Sequence, residues 1–280
     1  MADPRHDAIK NQSAPTSSES RRLVDGDRPS VAKIYDTLLG SQRWPAVDQE
    51  AACELLRLMP DAVMAAHQNR EFLQRATRFL AGPAGIRQFL DIGAGMPSLT
   101  PVHALAQSSA PDVRVLYVDN DPTVISETEP LLAAIPTVAA ILGDVRDPQA
   151  ILADPALGAL LDLDQPVAIL MTAVLHYIED DEDPLGVVGT LKTAVSPGSY
   201  LVLSHATGDG TPPEIVSQVR NLFRGATAPF IARSRAEVTG FLDGWDVLPP
   251  GVVNGPTWRP GSRAVEKRRT RFYAAVGKRP

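Results

Sequence analysis

The sequence predicts an α/β fold: a doubly wound, mostly parallel, seven-stranded sheet preceded by an N-terminal helical cap. Three observations carry this. From about residue 86 onward, short and almost continuously apolar runs alternate with helical patterns, as in a parallel sheet covered on both faces. The first run, Phe89-Leu90-Asp91-Ile92, leads into Gly93-Ala94-Gly95, and the second ends in Val118-Asp119-Asn120. Residues 29–82 instead show helical periodicity with no strand-like run.

The elements follow in order. Residues 1–28 are polar and aperiodic and read as a disordered arm. Ser30 is suited to cap a helix that carries Val31, Ile34, Tyr35, Leu38 and Leu39 on one face and stops at Gly40. A second helix is expected over about 48–59, halted by Pro60, and a third over 62–80 with Phe72, Ala76, Phe79 and Leu80 as its stripe. These make up the cap, residues 29–82, ahead of a ligand-binding domain over 83–280. Strands are expected at 86–91, 113–119, 137–142, 166–172 and 199–205, and a helix at 183–195. A helical excursion follows at 213–223 and another at 234–242. Residues 245–248 and 271–276 then read as an antiparallel closing pair around a Pro- and Gly-rich loop, 249–263.

Composition narrows the function. A chain of 280 residues with 44% apolar and 21% charged residues can bury a large core. A net charge of −6 gives no nucleic-acid footprint. The run Lys267-Arg268-Arg269 with Arg271 reads as a solvated strand edge. One cysteine, Cys53, excludes an intramolecular disulfide and favours a reducing compartment. Within Ala51-Ala52-Cys53-Glu54-Leu55-Leu56 it reads as a packed helical thiol. No apolar stretch has the ~18 residues of a spanning helix and no signal-peptide core is evident, so a cytoplasmic location without membrane contact is expected. The oligomeric state stays open.

The strand ends carry the chemistry. Gly93 and Gly95 permit a tight turn and a close ligand approach. An acid that ends the next strand, Asp119, with Asn120 beside it, can accept both hydroxyls of a ribose. A dinucleotide fingerprint would place a third glycine where Ser98 stands, after Met96-Pro97, and Pro97 suits a first helical turn. A glycine pair without a pyrophosphate cradle points to an adenosine ligand that lacks phosphate, S-adenosyl-L-methionine. Asp144, again after an apolar run, can accept the exocyclic amine of adenine while Val145 covers a ring face; a simple turn with Asp147 capping the next helix accounts for Asp144 alone equally, and three acids at three strand ends favour the binding role. Thr172 ends the fourth strand. The segment after it, Ala173-Val174-Leu175-His176-Tyr177, should face the reacting methyl group. His176 is the candidate base, and lining the cleft is its plainer role. His205 has a weaker claim. In the cap, Tyr35, Trp44 and Arg70 are placed to close over the ligand, Arg70 as a bidentate partner for a carboxylate; packing alone accounts for each singly. No cluster of His, Cys and acids has metal-ligand spacing, so no metal is expected.

Taken together these segments resemble a known family, an actinobacterial group of S-adenosyl-L-methionine-dependent methyltransferases first grouped as a domain of unknown function. The likeness is carried by Pro29–Gly40, Asn69–Leu73, Gly85–Gly95, Val118–Pro122, Asp144–Pro148, Ala173–Tyr177 and Pro197–Thr207. The resemblance implies a class I, Rossmann-like methyltransferase fold with an N-terminal helical extension. It also implies cofactor binding by Asp91, Gly93, Gly95, Asp119 and Asp144, with Ala94 where relatives often carry threonine. Ser41-Gln42-Arg43-Trp44 replaces the family's second glycine and lysine. The expected partner is a small-molecule methyl acceptor with an O, N or C nucleophile. A non-catalytic S-adenosylmethionine-binding module and a nicotinamide-dependent oxidoreductase are the alternatives.

Overall fold

The computed structural model describes residues 28–260 and 270–280. The expected disordered arm (Arg28 apart) and Lys267-Arg268-Arg269 lie outside the described residues. The cap begins with α1 (Val31–Leu38), whose first turn is capped as expected: Lys33 N donates to Ser30 Oγ at 3.4 Å. Gly40 ends it at φ +105°. In α2 (Ala46–Leu58) Asp48 is buried and accepts from Ser30 N at 2.7 Å, which ties the two helix starts together. Cys53 is exposed, against expectation. Helix α2 buries Ala51, Ala52 and Leu55, and at ~100° per residue position 53 falls outside that stripe.

The 20-residue helix α3 (Ala62–Ala81) serves two layers along one stripe. Ala62 and Ala66 join Ile34, Leu38 and Leu55 in the cap's own cluster. Phe72, Ala76 and Leu80, further along, pack directly on the sheet. Helix α9 (Pro213–Phe223), the excursion after the fifth strand, brings Val219 and Phe223 into the cap cluster as well. The cap is thus built from both ends of the chain.

The sheet contains β1 (Gln88–Ile92), β2 (Arg114–Asp119), β3 (Val138–Leu142), β4 (Ala168–Thr172), β5 (Tyr200–Ala206), β6 (Asp246–Val247), β7 (Val253–Asn254) and β8 (Phe272–Lys278). Its order is β3-β2-β1-β4-β5-β8-β6, with β7 also on β8. Strands β1 to β5 are parallel; β8 runs antiparallel along the whole of β5, from Tyr200↔Lys278 to Ala206↔Phe272. The closing pair β6–β8 is present, and β7 is a two-residue eighth strand inside the expected loop.

Alternate strand residues feed two cores. Leu90, Leu116 and Ile169 pack against α6 (Pro148–Ala153), α7 (Pro155–Leu160), α8 (Pro184–Ala194) and α10 (Arg235–Gly240). Phe89, Val115 and Leu170 pack against α3, α4 (Val102–Gln107) and α5 (Pro122–Leu132). Trp258, in the expected loop, is fully buried edge-on to Phe72, with centroids 5.5 Å apart. Arg75 holds that loop through Trp258 O (3.0 Å) and Gly255 O (2.9 Å). Arg271, expected to be a solvated edge charge, pairs with Asp61, just before α3, at 2.7 Å. Among the described residues no helix is long and apolar enough to cross a membrane.

Candidate functional site

The sheet order reverses between β1 and β4, and the crevice at such a switch point opens at the carboxyl ends of the strands. Tyr35, Arg70, Asp91, Gly93, Ala94, Gly95, Asp119, Asn120, Asp144, Val145 and Thr172 all line one cleft there. Ser30, Asn69 and Asp121 line it too, and the sequence did not mark them as cleft residues.

The turn after β1 folds back on β2. Gly93 N and Ala94 N both donate to Val118 O, at 2.8 and 3.1 Å. Gly95 N donates to Asp119 Oδ2 at 2.8 Å, and Asp121 N to Asp119 Oδ1 at 3.0 Å. Each Asp119 oxygen therefore keeps accepting capacity on the cleft side while it anchors the turn. Burial pushes the Asp119 carboxyl up, against the opposing hydrogen bonds from Asp121, Gly95 and Asn120.

The two glycines do different work. Both have positive φ, +72° and +66°. A Cβ on Gly93 would lie 2.6 Å from Val174 Cγ2, so the loop after β4 already requires a glycine here. A Cβ on Gly95 would meet only Arg70 Nη2, at 3.9 Å, and would project into the cleft. Helix α4 begins at Val102, after Pro101, and not near Pro97 as expected. Met96 is drawn into a small cluster with Trp44 and Val124, which keeps residues 96–101 as a loop.

Asp91 on β1 is 4% exposed, and its carboxyl makes no hydrogen bond to any described residue. Burial pushes its carboxyl up to about 7, with Arg70 opposing and Asp119 adding to the shift. Arg70, on α3, reaches Met96 O at 3.5 Å, and its Nε is buried without a partner. A buried carboxyl and a guanidinium, each lacking a strong partner, face the same cleft. Burial without a partner is costly, and the α-amino acid head group of a ligand would satisfy both.

At the other end Asp144 is gripped by Arg146: Nε donates to Oδ1 at 2.9 Å, and Nη2 pairs with Oδ2 at 2.5 Å. Burial works to raise this carboxyl, and the Arg146 contacts outweigh it and hold it below the usual range. Asn120 Nδ2 donates to Asp144 Oδ2 at 3.3 Å. Ser30, the α1 cap, donates from Oγ to Asp121 Oδ2 at 2.7 Å, so the cap is pinned to the β2 end. Trp44 does not reach the cleft. Its Nε1 donates to Asp36 at 2.8 Å and its ring lies under the Arg43 guanidinium, 4.0 Å from the centroid.

His176 is not in this cleft. Residues Leu175–Tyr177 form a 3₁₀ turn that swings its ring back beneath the end of β5. There Ala206 N donates to Nδ1 at 3.4 Å, and burial, then His205 and Arg233, hold its pKa well below the ordinary value. It lines a second, apolar pocket behind Tyr177. His205 is fully buried, and burial lowers it to about 4, so it is neutral near pH 7 and serves as a partner of Arg233, at 3.0 Å. Arg233 itself was missed. It clamps the turn after β4 through Leu175 O (2.9 Å), Ile178 O (2.9 Å) and Asp180 (2.6 Å). No local pattern marks it, because its partners lie 28 to 58 residues away along the chain.

A family model described as S-adenosyl methyltransferase matches residues 17–280. Two solved structures are similar over almost their whole length. A protein from Thermobifida fusca described as a candidate methyltransferase is 34% identical, with a TM-score of 0.85 over 91% of this chain and 96% of its own. A DUF574 family protein from Streptomyces avermitilis is 36% identical, with a TM-score of 0.86 over 91% of this chain and 99% of its own. None of the curated proteins matches the chain.

Proposed function

Because this chain belongs to the S-adenosyl methyltransferase family, and so is an S-adenosylmethionine-dependent methyltransferase, we propose that it methylates an O, N or C nucleophile of a small molecule held beneath the cap. When bound, the cofactor would supply an electrophilic sulfonium methyl, with its thioether as the leaving group. The protein's part is to bind, align and exclude solvent.

The observation that carries the reading is the unsatisfied pair at one end of the cleft. The Asp91 carboxyl is suited to the ammonium of the methionine moiety and Arg70 to its carboxylate. Gly95 leaves room for the chain between them and the ribose. The free lone pairs of Asp119 suit the ribose hydroxyls, with Asn120 alongside. Asp144 suits the adenine amine, Val145 lies against the ring, and Thr172 floors the cleft. Tyr35 closes the cap side, its hydroxyl held by Asn69 Nδ2 at 2.9 Å. No helix start follows Gly95 directly, so the pyrophosphate cradle of a nicotinamide enzyme is missing among the described residues.

The test separates the two ends of the ligand. S-adenosylhomocysteine carries the amino-acid head, and 5′-methylthioadenosine lacks it. Calorimetry should find Arg70→Ala and Asp91→Asn weakened about 30-fold or more toward the first. Affinity for the second should stay within threefold. Equal losses for both ligands, or none, would reject the head-group assignment.

A further inference from the structure

We propose that the apolar pocket behind Tyr177 is the acceptor site, that it takes an uncharged aromatic small molecule, and that the Tyr177 hydroxyl orients that molecule's nucleophilic oxygen or nitrogen. This rests on the cofactor reading above and narrows its acceptor.

The pocket adjoins the cofactor cleft, and Tyr35, Asn69, Ala173 and Tyr177 line both. Its walls come from the cap helices and α9, through Ile34, Leu55, Met59 and Phe223. Rings crowd one side. His176 lies 4.3 Å from Tyr177 and 5.0 Å from Phe230, and Phe223 lies 5.0 Å from Phe230, centroid to centroid. These spacings suit insertion of a further aromatic ring at the edge of the group.

Every charge at the pocket among the described residues is already answered. Arg271 pairs with Asp61 at 2.7 Å and donates to Thr211 at 2.6 Å. Burial keeps His176 and His205 neutral near pH 7. A charged ligand would lose its hydration here and gain no counter-charge.

The seam between the two cavities is rigid. Ser204 Oγ donates to Asn69 Oδ1 at 2.6 Å and accepts from Ala173 N at 2.9 Å. Asn69 in turn holds Tyr35, whose hydroxyl donates to Ala66 O at 3.2 Å. This network fixes Ala173 in the left-handed region at φ +57°, a conformation costly for a residue with a Cβ and one that clusters at functional sites.

Against that satisfied network two polar groups stand out. The Tyr177 hydroxyl makes no hydrogen bond to any described residue, and it stands where the two cavities meet. Burial, with Tyr35 adding, raises its pKa, so it stays a protonated phenol able to donate and accept. The acceptance by His176 Nδ1 assigns the proton to Nε2, which also lacks a partner among the described residues. A ring lodged among Phe223, Phe230 and His176 would present its heteroatom to Tyr177 and, past Ala173, to the cleft.

The experiment measures binding to full-length protein saturated with S-adenosylhomocysteine, by probe fluorescence. The probes are 2-naphthol, naphthalene and 6-hydroxy-2-naphthoate. Wild-type protein should bind 2-naphthol at least tenfold more tightly than the carboxylate. Tyr177→Phe should weaken 2-naphthol about fivefold, the worth of one hydrogen bond. It should leave naphthalene and S-adenosylhomocysteine within twofold, a split that general damage to the pocket would not give. Phe230→Ala should weaken both uncharged probes. If the carboxylate binds as well as 2-naphthol, if 2-naphthol fails to bind the saturated protein, or if Tyr177→Phe treats the two uncharged probes alike, the acceptor assignment is overturned and the cofactor reading stands. If S-adenosylhomocysteine itself does not bind, both fall. The charge comparison uses wild-type protein alone and does not depend on any variant folding.

Discussion

The protonation of Asp91 gives the cofactor cleft a pH signature. In the free protein burial holds this carboxyl protonated up to about 7. The groups that face it are Arg70, which opposes the shift, and Asp119 and the Tyr117 phenol. An ammonium beside Asp91 requires the carboxylate. Binding below pH 7 must therefore drive off a proton, and affinity must rise with pH. If the bound carboxyl returns to near its ordinary 3.8, affinity climbs about tenfold per pH unit, or about 1.4 kcal/mol. Between pH 5 and 7 that is about a hundredfold. The rise should flatten above 7, where the Asp91 carboxyl is already ionised in the free protein. Titration calorimetry with S-adenosylhomocysteine, run at pH 6 in two buffers of different ionisation enthalpy, should report release of close to one proton. Asp91→Asn should abolish most of that release and flatten the profile. Asp119 is also raised and acts in the same direction, so the difference between wild type and variant isolates Asp91. An affinity constant between pH 5 and 7, or a slope as steep in Asp91→Asn as in wild type, would refute the argument.

The same shift affects stability with a definite sign. A raised carboxyl favours the fold while it is protonated, and that contribution is lost as pH rises from about 4 toward 7. Denaturant unfolding of the free protein should therefore show Asp91→Asn stabilised relative to wild type at pH 8 and not at pH 4.5; a pH-independent difference would count against it. Gly93→Ala and Gly95→Ala should part company. The first meets Val174 at 2.6 Å and should lower stability by about 2 kcal/mol or more. The second should cost about 1 kcal/mol of backbone strain while weakening S-adenosylhomocysteine at least tenfold, and similar binding by both variants would contradict the division of roles. Arg233→Met should destabilise by about 3 kcal/mol, because Leu175 O and Ile178 O lose buried donors; a thermal midpoint within 2 °C of wild type would show the clamp to be dispensable. Hydrogen exchange should slow in residues 30–45 and 66–74 when cofactor is added, less so in Arg70→Ala. Cap exchange indifferent to cofactor would make Tyr35 and Arg70 packing residues.

Much of this architecture is written locally. The strands that build the parallel sheet are apolar runs because both faces are covered, and each lies within two residues of its expected bounds at either end. The acids Asp91, Asp119 and Asp144 could be placed on one sheet edge because period and chain direction determine where a parallel strand ends. Ser30, Gly40 and the closing antiparallel pair were legible for the same reason: caps, stops and alternation are properties of a few neighbouring residues.

What tertiary structure alone decided is who meets whom over long separations. Nothing near Trp258 tells that a Pro- and Gly-rich loop will deliver it beneath Phe72. Nothing near Pro213–Phe223 tells that the excursion returns to roof the N-terminal helices. The local sequence around His176 suggested a base facing the methyl group; a single 3₁₀ turn, held by Arg233 from across the fold, turns it away and presents Tyr177 instead. Cys53 is exposed although it stands in an apolar run, because the ~100° step of the helix turns it away from the face that buries Ala51, Ala52 and Leu55. Gly93 and Gly95 look alike in sequence and differ only in what stands opposite them, Val174 in one case and the open cleft in the other. The sequence determined a cofactor-binding sheet edge, since each strand end is a local fact. The partners of its charges and the shape of the second pocket come from packing between segments far apart in the chain, which no local pattern records.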